Sequence, residues 1–417
     1  MTPVVVLPHA DPSIRLAVHG RPVLDLHQDA VARLTGPERR AALLAERPDD
    51  PLLRAANLVL STSDIDQPAG LHAAGVLLLL GDPHDEWSVR LRLDDLELVH
   101  GSTESSADAV RAAEGLPFGP EIDVACEAVR DGGVLWLDRD QQLPAMIAMV
   151  RRLARAVDVA GPFADRHWLG LRRLLPPESC LVPLRAHWET ADGVVWLNRI
   201  GSVWADEVRL DEETTGGCRA AILQVATADD THVRTADGSW WPWPEFGSHV
   251  ERLRADGTEV LVEFWCLAPG ETAVSCVRTA EQLVGAGLPW RIVGARPFHL
   301  QPADADQWGA NLVRSTEDLA RSAAYERPEP NDTWPDVVTA LRRAGRLAPH
   351  RTACGYLESG RTSSGLAPGV VPLEDVLVDL GTARVLRIDP RFARMLARGS
   401  EVPERARRPL AQAGVLR

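Results

Sequence analysis

Three groups of side chains in this sequence have the types and neighbours that acid–base chemistry uses. Asp64 and Asp66 stand two apart in Ser61-Thr62-Ser63-Asp64-Ile65-Asp66, His84 lies between Asp82 and Asp85, and His187 precedes Glu189 by two positions. Carboxylates and imidazoles of this kind take up and return protons near neutral pH. Each group follows a stretch that reads as a strand, where the loops of an α/β sheet gather around a ligand. None of the spacings is diagnostic of one reaction. The patterns HExxH, GxSxG, GxGxxG and the EF-hand loop do not occur, which leaves metalloprotease, α/β-hydrolase and dinucleotide-dehydrogenase readings without support. There is also no lysine, so all 45 cationic side chains are arginine. A pyridoxal-phosphate Schiff base, an aldolase amine and the lysine of a GxxxxGK[ST] phosphate loop are excluded with it.

The six cysteines, at 126, 180, 218, 266, 276 and 354, are scattered through a long chain, which predicts reduced thiols and no structural zinc site. The formal charge is −14 and the pI near 5.4. Read over the whole chain, the basic residues are mixed with acidic ones, so the field repels phosphate backbones and anionic lipid; neither nucleic acid nor membrane is an expected partner. The N-terminus has no basic, then apolar, export pattern, and the longest apolar run, Val76 to Leu80, cannot span a bilayer. A cytoplasmic location is the expectation. Thirteen tryptophans stand against two tyrosines. Trp136, Trp196 and Trp265 lie in apolar runs and read as core, whereas Trp240, Trp241 and Trp243 are nearly adjacent and could wall a peptide or a flat ring.

The elements that must position these groups follow from periodicity. A chain of 417 residues is long enough for two or three domains. Over 1–175, strand-like runs at Val4–Leu7, Ala56–Leu60, Gly75–Leu80, Gly133–Leu137 and Val157–Ala160 alternate with helical stretches, one of them Pro144–Ala156. This predicts an open, mostly parallel, Rossmann-like sheet. Over 176–325, strands at Val194–Leu197, Glu207–Leu210, Ala220–Val225, Glu259–Cys266 and Trp290–Val293, with helices at Phe246–Ala255 and Val274–Gly285, predict part or all of a β/α barrel. Residues 326–335 read as a polar, proline-rich linker. Over the remainder of 326–417 a helix at Val337–Arg343, a hairpin of Val376–Asp379 and Arg384–Ile388, and a helix from Pro390 to Arg398 predict a small α+β tail.

The segment Glu263-Phe264-Trp265-Cys266-Leu267-Ala268-Pro269-Gly270-Glu271-Thr272, with Ser275 and Thr279 in the next helix and Arg296-Pro297-Phe298-His299-Leu300 beyond, resembles the fourth strand, loop and helix of cobalamin-dependent radical SAM barrels, which carry a GxPGET segment. The resemblance implies that Gly270, Glu271 and Thr272 belong to a cofactor-facing turn and that the N-terminal sheet binds cobalamin. Gly161-Pro162-Phe163 is similar to the last ligand-facing loop of such a sheet. Asp25-Leu26-His27-Gln28-Asp29-Ala30 resembles the DxHxxG pattern that places a histidine under cobalt, with Ala30 where glycine is expected. The family holds its [4Fe–4S] cluster on a CxxxCxxC loop near the first barrel strand; here that region offers only Cys180 and Cys218. The resemblance therefore implies a degenerate member, with cobalamin as its cofactor but without the thiolates for a cluster or for reductive cleavage of S-adenosylmethionine.

Leu366-Ala367-Pro368-Gly369-Val370, the hairpin after it and the Asp389-Pro390 helix resemble part of the small peptide-binding modules found with enzymes that modify ribosomal peptides. Such modules capture a leader peptide by adding it as a strand to a sheet edge. Three functions follow as expectations. One is a degenerate cobalamin/radical-SAM-like protein of peptide or natural-product tailoring. Another is a non-catalytic subunit that holds a substrate peptide for an intact radical SAM enzyme. The third is an unrelated α/β enzyme using the Asp and His groups above.

Overall fold

Three consecutive β-branched residues, Val4–Val6, form the first strand, and all three are buried, as befits a strand covered on both faces. In this computed structural model the described residues are 2–9, 14–18, 20–63, 65, 68–81, 87–91, 96–184, 186–190, 195–198, 220–315, 317–320, 322–326, 332–344, 347–348, 356–357, 366, 369–381 and 383–416. They fall into two compact units: Met1–Glu46 with Leu77–Glu207 and Ser315–Arg321, and Arg47–Val76 with Val208–Arg314 and Ser322–Arg417. The segment 47–76, which periodicity assigned to the first domain, thus belongs to the second unit. No helix among the described residues is long and apolar enough to cross a membrane.

The first unit contains β1 (Val4–Val6), β2 (Ile14–Val18), β3 (Val23–Asp25), β4 (Val89–Leu91), β5 (Leu96–Leu98), β6 (Val134–Trp136), β7 (Asp158–Ala160), β8 (Cys180–Leu181), β9 (Ala186–Thr190) and β10 (Val195–Asn198). Five of them build an all-parallel sheet in the order β3-β1-β6-β7-β8. The period-2 alternation of strand side chains separates two cores. Val5, Leu7, Leu135, Leu137 and Val159 pack against helices Leu26–Thr35, Gly119–Arg130, Leu143–Leu153 and Pro162–Leu171. Val4, Val6, Val134, Trp136 and Ala160 pack instead against Leu16 and Val18 of β2. Right-handed crossovers place the connections that move toward β8 on one face and the β1-to-β3 connection on the other. That connection carries β2, which pairs with β9 in the antiparallel sheet β10-β9-β2, so a strand layer stands where a doubly wound sheet has helices.

Two expected strands of this region are helices. Ala56–Leu60 lies inside the helix Pro51–Thr62 and Gly75–Leu80 inside the helix Pro68–Leu80. A short apolar run does not by itself separate a buried helix from a strand. The deciding signal is the start of the first helix: Asp50 accepts from the amides of Leu52 (2.9 Å) and Leu53 (3.4 Å), and Pro51 occupies the first turn, where its missing N–H is harmless.

The second unit contains β11 (Ala220–Ala228), β12 (His232–Thr235), β13 (Trp240–Pro242), β14 (Glu259–Cys266), β15 (Arg291–Pro297), β16 (Leu347–Ala348), β17 (Tyr356–Leu357), β18 (Val370–Leu373), β19 (Val376–Asp379) and β20 (Arg384–Arg387). Strands β11, β14 and β15 are parallel, with helices Trp243–Ala255 and Ala273–Gly285 in the connections. Strands β12 and β13 extend the sheet antiparallel on the β11 side, giving the order β13-β12-β11-β14-β15. The β-then-α rhythm read from 220–297 is therefore present, and the described strands form an open row with β13 and β15 at its ends rather than a closed ring. The expected strand Glu207–Leu210 lies outside the described residues, as do 327–331 of the expected linker.

The tail is a separate three-stranded antiparallel sheet, β18-β19-β20, followed by helices Pro390–Ala397 and Glu404–Gln412. Val370, Leu377 and Leu386 on one face pack with Leu396, Val402, Leu410 and Val415. Helix Pro51–Thr62 packs against the same three strands, and an Arg54–Glu374 ion pair of 3.1 Å ties it to the β18–β19 turn.

Candidate functional site

In the order β3-β1-β6-β7-β8 the sheet reverses its direction of growth between β1 and β6, and the crevice beyond their carboxyl ends is where ligands of open α/β sheets bind. Here Gln142 occupies it. Its Nε2 donates to the carbonyls of Leu7 (3.0 Å) and Trp136 (3.4 Å), while its Oε1 accepts from the amides of Asp138 (2.8 Å) and Arg139 (3.4 Å). The side chain is fully buried and ties the end of β1 to the end of β6.

Gly161 ends β7 at φ +108° and ψ 160°. A Cβ at this position would lie 2.3 Å from the carbonyl oxygen of Leu137. That residue is held on both sides, its amide donating to Ala160 O (2.8 Å) and its carbonyl accepting from the Phe163 amide (3.2 Å). Pro162 opens the next helix and is buried. The turn that resembles a ligand-facing loop is thus packed against the chain's own backbone.

His27 sits in the first turn of helix Leu26–Thr35, which Asp25 caps by accepting from the Gln28 amide (3.0 Å). The imidazole is 1% exposed, and neither ring nitrogen has a hydrogen-bond partner. The His9 ring stands edge-on to it, centroids 5.5 Å apart. Burial, with His9 and Arg139 nearby, holds the imidazole well below its ordinary pKa. The ring is neutral and closed on all sides in this conformation. An unfolded histidine protonates near pH 6.5, and the folded one only at lower pH. The native state therefore loses stability as pH falls below that value, by up to about 1.4 kcal/mol per pH unit from this group. His27→Leu removes the term: unfolding in urea should show the variant gaining about 2 kcal/mol on the wild type at pH 5 relative to pH 7.5. An unchanged difference between the two pH values would show that His27 is protonated in the fold.

These three features decide the fit of the implied cofactors. Among the described residues, the ring of His27 is covered, Gln142 fills the crevice with its own hydrogen bonds, and Gly161 is in close contact with Leu137. Among the described cysteines, Cys180 is exposed while Cys126, Cys266 and Cys276 are buried, and burial raises the pKa of Cys126. Cys218 and Cys354 lie outside the described residues. No three His, Cys, Asp or Glu side chains converge among the described residues. Among the described residues His27 is covered and no set of thiolates converges, and no reaction step is derived through a corrinoid or a cluster.

In the second unit the Pro269-Gly270-Glu271-Thr272 turn uses up its own polar groups. Gly270 takes φ +86°, and Glu271 N donates to Ala268 O (2.8 Å). Thr272 and Ser275 form a reciprocal capping box: Thr272 Oγ1 accepts from Ser275 N (3.2 Å) and Ser275 Oγ from Thr272 N (2.8 Å). One carboxylate oxygen of Glu271 accepts from Thr227 Oγ1 (3.0 Å) and the other from Ser275 Oγ. The amide of Ala273 donates to Asp332 (2.7 Å). On the sheet face away from these helices, Glu263 is buried and accepts from Trp265 Nε1 (2.8 Å) and Gln224 Nε2 (3.5 Å). No local spacing announces this buried carboxylate, because Gln224 reaches it across β11–β14 pairing.

The three clustered tryptophans separate. Trp240 is 50% exposed on β13. The Arg234 guanidinium lies 5.2 Å from its ring centroid and 3.7 Å from that of Trp308. Trp241 points to the opposite face and packs on the helical core, and Trp243 packs between Phe246 and Trp290 with its Nε1 donating to Asp229 O (2.7 Å). Of the acid–base groups, Asp64, Asp66 and His84 lie outside the described residues. His187 and Glu189 lie within β9, the middle strand of an antiparallel sheet, rather than in a loop after a strand.

An open edge remains in the tail. Strand β19 is flanked on both sides, while β20 ends the sheet, and among the described residues no strand pairs its outer side. The Ile388 amide donates inward to Asp375 O (2.9 Å). Antiparallel alternation then turns the backbone groups of Arg384 and Leu386 toward β19 and those of Val385 and Arg387 outward. Arg384, Val385 and Arg387 are exposed. Strand β18 ends the sheet on the other side; helix Pro390–Ala397 packs on it and Val370 and Val371 are buried. Compared with protein-family models, with curated proteins and with solved structures, the chain matches none.

Proposed function

We propose that this protein is a non-catalytic peptide-binding subunit of a peptide-tailoring system, and that an extended segment of its partner adds as a fourth strand to β20. The observation that carries this reading is the unpaired outer side of β20 in a small antiparallel sheet backed by helices on both faces. Main-chain hydrogen bonds give such a site its affinity, and the side chains beside the edge give it selectivity. The body of the molecule, a five-stranded parallel sheet in one unit and a βα row with the Pro269–Thr272 turn in the other, is read as a scaffold related to cobalamin-binding radical SAM proteins, with the cofactor positions given over to packing. Gln142, Gly161 and the capped turn at Thr272 support that part of the reading, because each satisfies with the chain's own atoms what a ligand would otherwise take.

The test uses the full chain and capped peptides about ten residues long, valine alternating with either glutamine or glutamate, long enough to pair with a short strand. Val385→Pro removes an outward N–H without touching the ladder to β19, and edge strands tolerate proline there. Fluorescence anisotropy should show at least one peptide binding the wild type, and binding weakened more than about tenfold by Val385→Pro with little change in melting temperature. Equal binding by the two proteins would remove β20 as the site.

A further inference from the structure

Whole-chain charge hides a local reversal. Between Ala383 and Arg417 stand nine arginines and three acidic residues, a formal +6 in a chain of −14, so the preceding residues carry −20. The mixing of basic with acidic residues read from the whole sequence therefore fails at this end. Eight of those arginines, 384, 387, 391, 394, 398, 405, 407 and 408, are described, and all are exposed. Elsewhere arginines meet carboxylates, as in Arg33–Glu121, Arg54–Glu374 and Arg152–Asp123. None of the eight is in an ion pair with an acidic side chain among the described residues. The acid nearest in sequence to Arg387 and Arg391, Asp389, is committed to capping helix Pro390–Ala397, accepting from the Arg391 amide (2.8 Å).

Two of them lie on the proposed peptide track, and three on a helix that packs over β18 and β19. Arg384 and Arg387 lie on β20 itself. Arg391, Arg394 and Arg398 are spaced by three and four along the next helix, on the side away from buried Ala393 and Leu396. An unpaired guanidinium presents five donors in a fork that fits a carboxylate bidentately. We infer that the segment added to β20 is acidic, with aspartate or glutamate side chains meeting Arg384 and Arg387 at the strand edge, and with the other exposed arginines of this end of the chain adding only to the positive field around it. This rests on the edge-strand reading above. An extended polypeptide is favoured over a nucleic acid because the outward backbone groups of Val385 and Arg387 supply strand-pairing partners that a phosphodiester chain does not use.

The experiment compares the valine–glutamate, valine–glutamine and valine–arginine peptides and a single-stranded oligonucleotide of similar length, on the full chain and on the double variant Arg384→Gln, Arg387→Gln. The glutamate peptide should bind about tenfold more tightly than the glutamine peptide, and the arginine peptide not measurably. The preference should shrink as salt rises from about 0.05 M to about 0.5 M, and the double variant should bind the two peptides alike. Equal binding of glutamate and glutamine peptides by the wild type overturns the acidic assignment and leaves the edge reading standing. No binding of any peptide overturns both. Arginine-dependent binding of the oligonucleotide without the peptides, or a self-association in sedimentation that the double variant abolishes, gives the surface to a nucleic acid or to a second copy of the chain and also overturns the inference.

Discussion

Gly161→Ala is expected to destabilise the protein by about 4 kcal/mol, and Gly270→Ala by only about 1 kcal/mol. Both glycines have positive φ, so both substitutions strain the backbone. They differ in what a methyl group would meet. At Gly270 nothing lies within 4 Å of the added Cβ; at Gly161 the Leu137 carbonyl oxygen is 2.3 Å away. Leu137 cannot retreat without breaking its bonds to Ala160 and Phe163, which join β6 to β7 and to the helix start. Gly161 also has φ +108° and ψ 160°, a region populated almost only by glycine and worth about 1–3 kcal/mol of strain by itself. Against a total stability of about 5–15 kcal/mol, a loss of this size moves the urea midpoint far to the left. Equal losses for the two variants would mean that the Leu137 backbone is not what fixes Gly161, and would return that turn to consideration as a ligand-facing loop.

What the sequence made legible was local. Glu259–Cys266 reads as a strand from its alternation and its β-branched and aromatic residues, and the following helix from Thr272 and Ser275 at its start. Both stand where they are expected. The hairpin of β19 and β20 is equally plain. Ala56–Leu60 misleads because its apolar run suits either state, although Asp50-Pro51 is a helix start visible in the letters. The strand β2 is hidden for another reason. Its partner β9 lies some 170 residues away in sequence, and only pairing such as that of Leu16 with Trp188 makes an isolated, largely apolar pentamer into a sheet layer.

The candidate site was harder to read than the fold, and the reason lies in who satisfies whom. His27, Gly161 and Thr272 are singled out by the resemblance of their segments to those of cobalamin-dependent radical SAM proteins. Whether each faces a ligand depends on groups brought from elsewhere: His9, Leu137, Thr227 and Asp332. The arginines of the tail show the reverse case. Their number is visible in the sequence, but averaging charge over 417 residues conceals it, and that none of the eight described ones meets a carboxylate among the described residues is a fact of the fold alone.

Gln142→Leu should be as damaging as the substitution at Gly161. Leucine matches the volume but leaves the carbonyls of Leu7 and Trp136 and the amides of Asp138 and Arg139 without the partner that Gln142 gives them. Buried groups left in this way cost about 1–3 kcal/mol each before relaxation, so a net loss of about 4 kcal/mol is expected. Gln142→Glu separates the two ends of the amide. At neutral pH its carboxylate still accepts from the two amides but turns an acceptor toward two carbonyls. The folded state then holds the acid protonated to a higher pH than the unfolded chain does. By linkage, the variant's deficit against wild type is largest near pH 7 and narrows as pH falls toward about 4, the unfolded value for glutamate. That trend is opposite to the one the buried His27 imposes, so urea unfolding across pH distinguishes them in one series. A deficit independent of pH would show that the carbonyls of Leu7 and Trp136 do not need a donor. The crevice between β1 and β6 would then be free for a ligand, and the scaffold reading of this rim would fall with it.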